Sequence, residues 1–300
     1  MDGYGLPEEH VERVKELGMS ALALSEHGNV SSHVKLEQAA EAHGIKPIYG
    51  IEAYTAPADM RETKNQRKWH MIILAETQTG YQNMMRMVTR SWKDDNYRWP
   101  TVLGANLRDN KSGLILLSGC ADSHVNCVLL GGKGIPVPET PREKARAERD
   151  AEKIMLRYAR MFPGKYFLEV QRFYRLARTC EINPMYEYWS KKHDIPLVAT
   201  SDVHYPRPEQ NEMQKILHAA GRNTGTVAAA EAEWEYDILL TYPESDEEIE
   251  IDLMNTGMSP SGAISAVDNT ALIAERCTIK LPKMDRIRYP VEKEDLKPWT

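Results

Sequence analysis

Short apolar runs alternate with amphipathic segments along almost the whole 300-residue chain, and that alternation restricts its fold more than any other feature. The strand-like runs are ALALSEHG (21–28), PIYGIEAYTA (47–56), HMIILAET (70–77), LILLSGC (114–120), YFLEVQ (166–171), PLVATSD (196–202) and DILLTY (237–242). Between them stand helical patterns at 7–17, 31–43, 80–92, 142–161, 184–193 and 208–221. Pro7 with two following glutamates suits a first helical turn and Gly18 its end. Asn183 and Pro184 read likewise as a cap and a first turn. Strand–helix alternation implies βα units around a mostly parallel sheet. About seven units favour a closed or nearly closed barrel, in which the loops at the C-terminal ends of the strands carry the chemistry.

Composition narrows the partners. The chain is 42% hydrophobic and 27% charged, the balance of an ordinary globular protein. A formal charge of −6 argues against a broadly basic nucleic-acid grip but leaves room for a local basic path. No apolar run approaches the ~18 residues that span a bilayer. The opening MDGYGLPEEH is too acidic and polar for a signal peptide. No membrane association is expected. Cys120, Cys127, Cys180 and Cys277 do not make a disulfide framework, so a reduced, cytoplasmic setting is expected. The basic loop RETKNQRK (61–68) and GGKGIPVPETP (131–141) read as irregular.

The strand ends carry the chemistry. The first run delivers Glu26 and His27, the second Glu52, the fourth Cys120, and the sixth Asp202 and His204. Imidazole, carboxylate and thiol converging on one barrel face suit Zn²⁺, Mn²⁺ or Fe²⁺ better than Mg²⁺ or Ca²⁺, which prefer oxygen. Strand alternation would place Asp202 and His204 on one face as a chelating pair. His70 does not fit this geometry, because it begins a strand. Each residue alone has a plainer role: His27 as a turn residue, Glu52 as a solvent-facing acid, Cys120 as a small buried hydrophobe. The joint pattern outweighs its parts. His10, His33, His43, His193 and His218 lie in helical patterns and read as surface or edge residues, with His124 left open. No P-loop, Rossmann fingerprint or nucleophile elbow is present.

The segments LGMSALALSEHGNV, GIKPIYGIEAYTAP, WHMIILAETQTGYQNMMRMV, GLILLSGC and LVATSDVHY resemble, in order and spacing, the PHP (polymerase and histidinol phosphatase) domain. The version resembled is the one at the front of bacterial replicative DNA polymerase III alpha subunits. AVDNTALIAERC (266–277) is similar to the segment that closes that domain. The resemblance implies a distorted (β/α)₇ barrel over residues 1–282, with 283–300 as a linker toward a polymerase domain. It implies two or three divalent ions, Zn²⁺ or Mn²⁺ foremost, and hydrolysis of phosphoesters, including 3′–5′ proofreading. It assigns metal ligation to Asp2, His27, Glu52, His70, Cys120, Asp202 and His204, with Glu26 behind them. DNA and replisome subunits are the implied partners, with Lys64, Arg67 and Arg172 as residues that steer the strand.

The family's first motif, a His-x-His pair some residues before its aspartate, has no counterpart here, since Asp2 is preceded only by Met1. No polymerase palm follows either. The expectation is therefore a barrel lacking its first strand, with an incomplete metal cluster and weak or no nuclease activity. Two other readings stand beside it: a metal-poor scaffold that supports a polymerase, and a free-standing phosphatase of the histidinol-phosphate type.

Overall fold

The computed structural model describes residues 3–56, 68–221, 226–231 and 238–282. The chain runs α1 (Pro7–Glu16), β1 (Ala21–His27), α2 (His33–His43), β2 (Lys46–Ala56), β3 (Trp69–Ala75), α3 (Gln78–Lys93), β4 (Asn96–Tyr97) and β5 (Trp99–Leu103). It continues α4 (Gly104–Asp109), β6 (Leu114–Leu117), α5 (His124–Leu130), α6 (Pro141–Met161), β7 (Tyr166–Gln171), α7 (Ala177–His193) and β8 (Leu197–Thr200). A 3₁₀ turn (Pro208–Gln210) then leads into α8 (Asn211–Gly221), α9 (Val227–Glu231), α10 (Asp246–Asn255) and α11 (Pro260–Arg276).

The eight strands form one mixed sheet in the order β4-β5-β2-β3-β6-β7-β8, with β1 beside the first half of β2. β1 and β5 run parallel to β2, and β6, β7 and β8 run parallel to one another. β3 is antiparallel to both β2 and β6. Four strand spacings separate β2 from β8, about 19 Å if the sheet were flat. Yet Asp202, just past β8, feels the charges of Glu52 on β2 and of His27 on β1. The sheet is therefore curled into a half-barrel. Among the described residues β1 and β8 do not pair, so the curl stays open.

Alternation sorts the two faces. Tyr49, Ile51, Met71, Ile73, Leu114, Leu116, Leu168 and Val170 point outward into the main core, which the surrounding helices cover. Ile48, Leu74, Ile115, Leu117, Phe167 and Val198 point inward and pack against Ile273 and Cys277 at the end of α11. The closing segment read from AVDNTALIAERC is thus a helix that plugs one end of the curl. Further along the same inner face the residues become polar: Glu52 on β2, His70 on β3, Glu169 and Gln171 on β7. One face therefore has an apolar floor and a polar mouth.

Several elements differ from the sequence expectation. α7 starts at Ala177 and runs through Pro184, so Asn183 is not its cap. Buried Asn183 donates to Gln171 O (2.8 Å) and Thr256 Oγ1 (3.0 Å), and these tertiary bonds override the local signal. Residues 238–242 are not strand; Leu240 O instead accepts from His204 N (2.8 Å), and Leu240 N donates to the Tyr205 hydroxyl (2.9 Å). β8 stops at Thr200, two residues earlier than read. His33 and His218 are buried and not at the surface, His33 Nε2 lying 3.0 Å from Gly50 O.

Candidate metal centre

His27 ends β1 and Glu52 lies opposite it in the register of β2. His27 Nδ1 is 3.0 Å from Glu52 Oε2, and His70 Nδ1 is 2.8 Å from Glu52 Oε1. One carboxylate thus holds two imidazoles, whose ring centroids are 5.5 Å apart. His70 reaches this end of the sheet because β3 is antiparallel: its first residues lie beside the last residues of its parallel neighbours. Cys120, in the turn after β6, brings Sγ to 3.6 Å from His70 Nδ1. Gly119 makes that approach possible, with φ of +88° and a position where a Cβ would lie 2.4 Å from His70 O.

Asp202 and His204 come together through a loop and not through strand alternation. Asp202 adopts φ of +43°, a left-handed conformation that non-glycine residues rarely hold. His204 Nδ1 then lies 2.7 Å from Asp202 O and 3.7 Å from Asp202 Oδ1. Gln171 Nε2 is 3.5 Å from Asp202 Oδ2.

Glu169, which the sequence reading passed over, joins the cluster. It accepts a hydrogen bond from Thr200 Oγ1 (2.8 Å), while its Oε2 is buried without a hydrogen-bond partner. The signal was available in YFLEVQ: a carboxylate between Leu168 and Val170 in a strand buried along its whole length.

Electrostatics in this pocket are opposed. Burial works against the Glu52 carboxylate, but hydrogen bonds from His27 and His70 outweigh it and hold its pKa well below the usual range. Burial, with Asp202 and Glu52 adding, pushes Glu169 up to about 8. Burial likewise raises Asp202, against the pull of His204. The Cys120 thiol is pushed well above its ordinary value by burial and then by Glu52, Asp202 and Glu169.

A divalent cation fits this arrangement. Glu52, His70 and Cys120 each offer a ligand atom, all within 4.8 Å of one another. The donors are of the mixed N, O and S kind that Zn²⁺ accepts. The orphaned Glu169 oxygen and the crowding of acids beside a thiol leave a need for positive charge that a cation would meet.

The remaining predicted residues fall elsewhere. Glu26 turns to the loop before α2, accepting from Ser31 Oγ (3.0 Å), Ser32 N (2.9 Å) and Ser32 Oγ (2.9 Å). Arg172 is mostly buried between Glu248 and Asp252, its Nε 2.9 Å from Asp252 Oδ2, so it ties β7 to α10. Asp2, Lys64 and Arg67 lie outside the described residues. His124 sits outside the centre, stacked on Trp69.

Residues 1–173 match the family model of the PHP domain. The DNA polymerase III alpha subunit of Treponema pallidum is 30% identical over 288 residues, 94% of this chain and 23% of that protein. That of Thermus aquaticus is 29% identical over 301 residues, 97% of this chain and 23% of that protein. The chain thus spans about a quarter of the length of these relatives. A solved structure from Bifidobacterium adolescentis, described as a candidate metal-dependent phosphoesterase, covers 68% of this chain at 12% identity and a TM-score of 0.38, too loose a likeness to bear on the argument. With the family model matching more than half of it, the chain belongs to the PHP domain family.

Proposed function

We propose that this chain forms the PHP region of a replicative DNA polymerase alpha subunit and that its polar mouth is a metal-dependent phosphoesterase centre acting on 3′ ends of DNA. The observation that supports this reading most is the convergence of Glu52, His70 and Cys120, with His27 and Asp202 beside them, at one end of the curled sheet. His27, Glu52, His70, Cys120, Asp202 and His204 would hold the ions. Bound there, a divalent cation supplies charge for the phosphoryl oxygens and lowers the pKa of a water. With an ion held by these residues, hydrolysis would require no side chain to act as nucleophile. Glu52 orients both imidazoles, and the Asp202 turn holds His204 beside Asp202. DNA and the other subunits of a replisome follow as partners from the same reading.

The test is hydrolysis by this chain, with Mn²⁺ or Zn²⁺ added, of an oligonucleotide carrying a 3′ mismatch and of p-nitrophenyl phosphate in parallel. The expected result is slow metal-dependent shortening from the 3′ end, weak as an incomplete cluster implies, and lost in His70→Ala. Turnover of the monoester with untouched DNA ends would instead identify a small-molecule phosphatase. Metal bound at these residues with neither substrate cleaved would identify a structural scaffold.

A further inference from the structure

One rim of the centre is built from aromatic rings. Tyr54, at the end of β2, stacks on His27 with centroids 5.7 Å apart and an interplanar angle of 14°, and meets His70 edge-on at 5.6 Å. Trp99, the first residue of β5, continues the series outward, its ring 5.4 Å from Tyr54. It remains 53% exposed, although indole is among the most costly side chains to leave in water. Trp92, also half-exposed, donates Nε1 to Gly28 O (2.8 Å) and so anchors the turn behind His27. Gly28 has φ of +65°, and a Cβ there would lie 2.8 Å from Pro100 Cγ and 3.2 Å from the Tyr54 ring. The rim is thus pressed against the centre and cannot be separated from it without moving His27.

A platform of this kind, one residue removed from two imidazoles, matches a flat apolar group attached to a phosphoester. Nucleobases are such groups, and stacking on exposed aromatic side chains is how proteins hold unpaired strands. Charge in the same segment is mixed: Lys93 and Arg98 stand with Asp94 and with Asp95, the latter paired with Arg90 (3.5 Å), and the rings are what this rim presents. We propose that the exposed ring of Trp99, backed by Tyr54, is a stacking platform for the terminal base of a single nucleic-acid strand whose phosphoester lies at the metal centre. This rests on the phosphoesterase reading and narrows its substrate to a strand end whose last base is unpaired.

Binding tests the platform without requiring turnover. The probe is a 5′-fluorescein hexathymidylate, compared by anisotropy with the same oligonucleotide bearing an abasic 3′-terminal sugar. The wild-type chain is expected to prefer the base-bearing probe by about tenfold. Trp99→Ala should lose that preference, and Trp99→Phe should keep part of it. The preference itself should change little with salt, because it releases no counterions. Equal affinity of the wild type for the two probes, or a preference that survives in Trp99→Ala, would overturn the proposal. Preservation of Zn²⁺ affinity in Trp99→Ala separates lost stacking from a displaced His27. A preference for the base in a chain that hydrolyses neither DNA nor monoester would sustain the platform while removing the phosphoesterase reading.

Discussion

Glu169 shows how much a single side chain can reveal about this pocket. A buried carboxylate with one oxygen bonded to Thr200 and the other without a hydrogen-bond partner is costly unless something positive is nearby. Its carboxyl is pushed up to about 8, so without such a partner it is largely protonated at neutral pH. Glu169→Gln keeps the shape and the Thr200 contact but removes the charge. We expect this variant to fold normally and to bind Zn²⁺ about tenfold more weakly in competition with a chromophoric chelator. An unchanged affinity would reduce Glu169 to a packing residue. Most residues of the candidate centre could be singled out in the sequence, because His27, Cys120 and Asp202 stand where apolar runs stop, while Glu52 is a carboxylate within its run. Their mutual geometry could not be. The contact between Asp202 and His204 depends on a left-handed backbone at Asp202, which no alternation rule supplies.

At the scale of elements, the difficulty over His70 came from expecting ligands only at the C-terminal ends of strands in a mostly parallel sheet. One antiparallel strand, β3, puts a strand's beginning where its neighbours end, and apolar periodicity carries no information on direction. β5 was missed for a related reason: WPTVL is short and opens with an exposed tryptophan, so its pairing with β2 decides its conformation. The outer face of β3 is held by His124 at the start of α5. Its ring stacks on Trp69 at 3.8 Å and 5°, and its Nδ1 lies 3.2 Å from the Tyr158 hydroxyl on α6. Burial, with a smaller contribution from Arg157, depresses His124 to about 4. The unfolded chain therefore takes up a proton near pH 6.5 that the folded chain refuses until about pH 4. Stability from this group is complete above about pH 6.5 and declines as the pH falls toward 4, by about 3 kcal/mol in all. His124→Phe keeps the stacked ring without the ionisable group. Urea unfolding at pH 7 and pH 5 should show a smaller loss for the variant than for the wild type. Parallel losses would mean that His124 is not what makes the fold acid-sensitive.

Across the whole molecule, the curl of the sheet determines what the centre can do. His27, Glu52, His70, Cys120 and Asp202 come from β1, β2, β3, the turn after β6 and the loop after β8, so they sample nearly the full width of the sheet. Strand–helix alternation was enough to expect a barrel-like α/β fold, but how far the sheet curls depends on contacts distant in sequence. The apolar floor against α11 closes one end of the curl, while at the mouth three acids and a thiol crowd together. A cation shared by β2, β3 and the β6 turn would join these segments in the folded chain and lose most of its ligands on unfolding. It should therefore act as a cross-brace. At a free Zn²⁺ concentration 100 times the dissociation constant, native-state binding adds about 2.7 kcal/mol. For a chain of this size that corresponds to a rise in melting temperature of about 4 °C, reduced by any binding to unfolded cysteine and histidine. The measurement is a thermal melt in EDTA and in buffered Zn²⁺, for the wild type and for His70→Ala. The wild type should gain the full shift and the variant little of it. If both gain equally, the ion binds elsewhere. If neither gains, the polar mouth closes without a metal, and the curl must be held by its apolar floor and outer core alone.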